Sequence, residues 1–236
     1  MKKKFLIFFL WIFQVFCFYG DADMDSNSTF YLSKNQLEEY TNMALNGDEE
    51  KASAIFEYYS IYDYQSDEAS YWAKIGAENG SKVADYNYGC ILKEINEDYF
   101  RSYYFLKKAS DKNVESATKV LSFLLKKIDE EKILFLEKII LPDIIDEENI
   151  NIFFEAARIG NIKASESLVN YYEAEYIKTS FGENIERNIK NNPYIYWLQI
   201  GCENGSVKCI TTYSELLQSS ITEYDRIRAK FWIKKI

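Results

Sequence analysis

Histidine is absent from the 236-residue chain, and proline occurs only twice. Without histidine there is no imidazole base, no triad built on one, and none of the commonest metal ligand. Cysteine is scarce as well. The thiols at Cys17, Cys90, Cys202 and Cys209 lack further ligands at zinc-binding spacing. A G-x-x-x-x-G-K-[ST] phosphate loop is missing, and so is a G-x-S-x-G nucleophile elbow. Basic charge is also short, 28 Lys and Arg against 37 Asp and Glu, for a formal net charge of −9. Phosphate binding needs a basic stripe, so nucleic acid is excluded as the expected partner. These absences point away from an enzyme and predict no catalytic residue, no metal and no cofactor.

Long apolar runs are rare too, with one exception at the start. Lys2, Lys3 and Lys4 precede an apolar stretch from Phe5 to Tyr19 interrupted only by Gln14, and Gly20 and Ala22 supply small residues before Asp23. That arrangement predicts a cleaved export signal over residues 1–22, shorter than the roughly 20 apolar residues of a membrane span. It implies a periplasmic or secreted protein with no stable membrane insertion. Cys17 follows Phe16 rather than the small residue that a bacterial lipoprotein signal requires, which disfavours lipid attachment. Residues 23–35 are polar and predicted flexible. Their Asn27-Ser28-Thr29 sequon matters only in a eukaryotic secretory route. Removing the leader takes away three lysines and one aspartate, so the remaining chain is more acidic still.

What the chain does contain is a repeat. Tyr71–Gly89 reads YWAKIGAENGSKVADYNYG, and Tyr196–Ser214 reads YWLQIGCENGSVKCITTYS. Both copies carry YW, IG and ENGS at the same offsets. Weaker echoes place the equivalents of Gly80 and Gly205 at Gly47, Asn113 and Gly160, with successive steps of 33, 33, 47 and 45 residues. Small and aromatic residues at Ala69, Trp72, Gly76, Ala77, Ala84 and Tyr88 follow spacings of three, four and seven, those of a helix face. Glycine or asparagine at the marked position suits the left-handed residue that ends a helix. Asp48, Ser81, Asn161 and Ser206 follow as N-caps for a second helix, whereas Val114 lacks that signal. Each unit is therefore predicted as helix, tight turn, helix, and the chain as an elongated stack of such pairs. Residues 129–149 and 178–192 break the pattern. Within the first, EEKILFLEKIIL still predicts a helix, with Pro142 ending it or standing just beyond it. The second predicts a longer loop. Residues 223–236 form a half-repeat whose Phe231 and Trp232 are expected to cover the open end, with Arg226, Arg228, Lys230, Lys234 and Lys235 toward water.

The pattern A-x-x-W-x-x-x-x-A-E-N-G-x-x-x-A-x-x-x-Y-G resembles the Sel1-like repeat, a relative of the tetratricopeptide repeat. The match is close at Ala69, Trp72, Ala77, Gly80, Ala84, Tyr88 and Gly89, and good at Trp197, Gly205 and Tyr213. Repeats one, three and four keep the skeleton but lose the tryptophan. The resemblance covers most of residues 36–236 and implies an all-α, right-handed α/α solenoid of about five helix pairs with a C-terminal capping helix. Cys202 and Cys209 stand where repeat two has Ala77 and Ala84. Secreted members of the family staple helix pairs there, so a Cys202–Cys209 disulfide is expected in an oxidising compartment. Two buried thiols are the competing reading.

A solenoid presents a concave surface lined by one helix of each pair. Tyr71, Lys74, Tyr104, Lys107, Tyr196, Gln199 and Phe231 recur at offsets that form one stripe, a candidate groove for a protein or peptide. The competing reading is that these residues complete packing between repeats. Ser116-Ala-Thr-Lys119 spells S-x-x-K, a nucleophile motif of penicillin-recognising enzymes, without its companion S-D-N or K-T-G. A β-lactamase-like hydrolase would rest on those four residues alone. The resemblance instead implies a non-catalytic interaction scaffold in the bacterial envelope. Two roles fit it: immunity against a periplasmic toxin, and an adaptor in envelope assembly or host interaction.

Overall fold

A computed structural model describes residues 31–64, 66–176, 185 and 192–236. The leader over residues 1–22, Cys17, the sequon at Asn27 and nearly all of residues 178–191 lie outside the described residues. From Leu32 to Ile236 the chain forms one compact unit. Among the described residues it holds twelve helices and no strand. They are α1 (Lys34–Leu45), α2 (Glu49–Asp63), α3 (Asp67–Asn79), α4 (Lys82–Glu94), α5 (Tyr99–Asp111) and α6 (Glu115–Ile128), then α7 (Glu130–Lys138), α8 (Ile150–Arg158), α9 (Ile162–Tyr176), α10 (Pro193–Glu203), α11 (Val207–Gln218) and α12 (Glu223–Ile233).

The turn chemistry is that of the repeat. Gly47, Gly80, Asn113, Gly160 and Gly205 all adopt positive φ, between 64° and 113°. At each turn the next residue's N–H reaches back to a carbonyl five positions earlier, as in Ser81 to Gly76 (3.1 Å) and Ser206 to Gly201 (2.9 Å), which closes the first helix. Asp48, Ser81, Asn161 and Ser206 then accept the N–H three residues on, and Val114 makes no such cap. One boundary differs from expectation. Helix α1 begins at Lys34, inside the segment read as flexible, because Ser33 and Gln36 form a reciprocal capping box. The S-x-x-Q spacing was there to be seen.

Consecutive helices pack on one another down the chain, in the manner of a helical repeat solenoid. Helix α7 is the insertion. It sits between α6 and α8 and touches both. It ends at Lys138, four residues before Pro142, because Ile139 is already extended. Ile185 is tied down by its N–H, which donates to Asp225 at the start of α12 (2.9 Å).

The end of the stack is not as expected. Helix α12 packs against α11 and also against α1, at the opposite end of the sequence. Its Phe231 lies over the first turn, 3.1 Å from where a Cβ on Gly47 would stand. Arg228, expected to face water, is completely buried. Helix α5 does the same for the fourth turn: it packs on α8, with Tyr104 over Gly160 at 2.9 Å. The chain is thus two like halves, α1–α5 and α8–α12, each closing the inner side of the other with its last helix.

Candidate functional site at the junction of the halves

The two closing helices share a sequence pattern, Arg101-Ser-Tyr-Tyr104-Phe-Leu-Lys-Lys108 in α5 and Arg228-Ala-Lys-Phe231-Trp-Ile-Lys-Lys235 running from α12 two residues past its end. In both, the arginine reaches the Glu-Asn-Gly turn of the other half. Arg228 donates to Glu78 (2.5 Å), to Asn79 Oδ1 (3.2 Å) and to the Leu45 carbonyl (3.2 Å). Arg101 donates to Glu203, to Asn204 Oδ1 (2.8 Å) and to the Arg158 carbonyl (3.1 Å). Leu45 and Arg158 each stand two residues before a turn glycine, so the contacts are matched one for one. The asparagines complete the pattern. Asn79 Nδ2 donates to the Ala44 carbonyl (2.7 Å) and Asn204 Nδ2 to the Ala157 carbonyl (2.8 Å). Such reciprocity is what an isologous interface produces, here inside one chain.

The guanidinium planes stack as well as donate. Arg228 lies 3.8 Å from the Phe231 ring and Arg101 4.1 Å from the Tyr104 ring. Planar, weakly hydrated arginine is suited to such buried, forked contacts. At the centre Glu78 and Glu203 are neighbours. Gln199 donates to Glu78 (2.9 Å), and Lys74 lies 3.7 Å from it. Burial pushes the Glu78 carboxyl above the usual glutamate range, Lys74 and Arg228 draw it back, and the negative field of Glu203 adds to the rise.

This is where most of the expected binding stripe resides. Lys74, Gln199 and Phe231 are buried, and Tyr71, Tyr104 and Tyr196 are half-buried. The Tyr104 hydroxyl donates to the Glu203 carbonyl (2.5 Å), and Tyr196 packs on the core of the second half. Lys107 alone of the seven is exposed, beside Asp111 at 3.6 Å. Three of the seven, Tyr104, Gln199 and Phe231, meet the other half of the chain, while Tyr71, Lys74 and Tyr196 pack within their own half. The signal that could have found this is the R-x-x-aromatic-aromatic-x-K-K echo between α5 and α12.

The expected Cys202–Cys209 disulfide does not form. The reason is register. A Cβ placed on Gly76 would stand 2.8 Å from the Ala84 Cβ, and one on Gly201 would stand 2.3 Å from the Cys209 sulfur. The residue facing position 209 is therefore Gly201, and Cys202, one helical step on, lines the cleft described below. Burial raises the Cys209 thiol and pushes Cys90 up to about 12. We expect alkylation at pH 8 under native conditions to spare Cys90 and Cys209 and to proceed after unfolding. Mass spectrometry that found native Cys209 modified at the denatured rate would contradict this packing.

Ser116 and Lys119 lie on α6, Ser116 half-buried and Lys119 exposed, and neither lines the cleft. Among the described residues there is no cluster able to hold a metal and no helix long and apolar enough to cross a membrane. Comparisons with protein-family models, with curated proteins and with solved structures each gave no match.

Proposed function

We propose that this chain is an exported, non-catalytic interaction protein of the Sel1-like repeat type, working in the bacterial envelope by binding a protein partner. The observation that carries the reading is where apolar surface remains after the inner row has closed. Between residues 123 and 144, Phe123 (70% exposed), Phe135 (55%), Ile140 (92%) and Ile144 (76%) stand in solvent on α6, α7 and the segment after it. Large exposed apolar side chains clustered on the insertion and the end of α6 beside it in sequence mark a surface for another molecule, and insertions into repeats commonly carry binding. The contact therefore falls on the insertion and not on an inner groove. Immunity against a toxic effector is the specific form proposed, supported by the leader and the acidic balance.

The test is capture from envelope extract with the wild-type protein and with Phe123→Ser/Phe135→Ser/Ile140→Ser. These side chains bury little, so the triple variant keeps its circular dichroism and its melting temperature. A partner retained equally by both proteins would move the contact elsewhere. For immunity, a toxin gene adjoins this one, and expression of the wild type, and not of the triple variant, protects cells from that toxin; the absence of such a neighbour counts against immunity.

A further inference from the structure

At the junction of the halves lies a cleft of about 320 Å³, within the range of small organic ligand sites. Its apolar lining includes Phe105 from α5, Ile210 from α11 and Trp232 from α12, with Lys108 and Lys235 beside them. Glu78 and Glu203 also line it, but each is already engaged by an arginine. The chain as a whole is acidic, yet cations gather here. Asp85 answers Lys108 (2.9 Å) and Lys112 (2.8 Å), while Lys235 has no carboxylate within 4.0 Å among the described residues. Its ammonium donates to the Glu78 carbonyl at 3.2 Å, which leaves two of three N–H groups for another acceptor. Burial, with Arg228 and Lys108 close by, holds Lys235 below the usual lysine range.

We infer that this cleft binds a small organic anion, its carboxylate or phosphate on Lys235 and Lys108 and its apolar body against Phe105, Ile210 and Trp232. A cation would meet Lys235 and Lys108 without a carboxylate to spare, and a neutral ligand would leave the lysine excess uncompensated. Carboxylate and phosphate esters share the required chemistry, and the experiment separates them. The inference stands apart from the partner surface on α6 and α7.

Calorimetric titration of the purified protein with benzoate, phenyl phosphate, inorganic phosphate and phenol is the test. At least one of the first two binds with Kd below about 1 mM, and phenol binds at least about tenfold more weakly. Added salt weakens the binding, as expected for a partly exposed cation. Lys235→Met, which stays folded by circular dichroism because position 235 lies past the end of α12 and is exposed overall, loses about tenfold in affinity. Val207→Trp, an exposed position lining the cleft, blocks entry and abolishes the heat. No heat with either aromatic anion at about 10 mM, a weakest-useful affinity, overturns the inference. So does unchanged affinity in both variants, and so does inorganic phosphate binding as tightly as phenyl phosphate, since the apolar wall then has no part.

Discussion

Arg228→Met is expected to lower the unfolding free energy by about 3–5 kcal/mol, the usual consequence of removing one member of a buried ion pair. Both side chains of the pair are fully shielded from solvent, so no water replaces the lost guanidinium around Glu78. Most of the loss is the penalty of a buried carboxylate left with only Lys74 and Gln199 beside it, and not the net worth of the contact. Arg228→Met combined with Glu78→Leu should therefore recover much of the stability, a coupling that urea denaturation of the cycle measures directly. The pH dependence follows with a definite sign. Glu78 already has a raised pKa, and loss of Arg228 raises it further. A carboxyl with a folded pKa above its unfolded value contributes most at low pH and loses that contribution as pH rises through the folded value. The deficit of Arg228→Met relative to wild type thus shrinks as pH falls toward the ordinary glutamate value of about 4.3. A deficit below about 1 kcal/mol at neutral pH would mean that α12 does not hold Glu78 as described.

Gly201→Ala should be destabilising, by about 1–3 kcal/mol, although the same change inside an exposed helix stabilises by about 1 kcal/mol. The added methyl has no room, since the Cys209 sulfur lies 2.3 Å and its Cβ 2.8 Å from the Cβ position. Neither atom is the end of a long flexible chain that can swing aside, so α10 and α11 must separate. Removing the obstruction with Cys209→Gly restores part of the loss in the double variant, beyond the sum of the single effects. Thermal unfolding of the four proteins decides it. An additive result, or a neutral Gly201→Ala, would show that position 201 does not face position 209.

The turns were legible in the sequence because positive φ admits few residue types, so Gly47, Gly80, Asn113, Gly160 and Gly205 mark themselves. The caps were legible for the same local reason, down to the missing one at Val114. Facing partners were not. Periodicity says that Ala77 and Cys202 sit near a helix crossing, but one helical step separates them from the glycines that touch the neighbouring helix. Glu78 and Arg228 are 150 residues apart, and no local rule connects them. A charge on a short helix near a chain end ordinarily faces water. Only the second copy, Arg101 with Glu203, turns that isolated arginine into a pattern.

An open row of repeats melts from its tips, where a unit has one neighbour instead of two. Here α12 is clasped by the first pair and α5 by the fourth turn, so each of these two helices is held from both halves. Loss of either clasp is therefore felt in both halves at once.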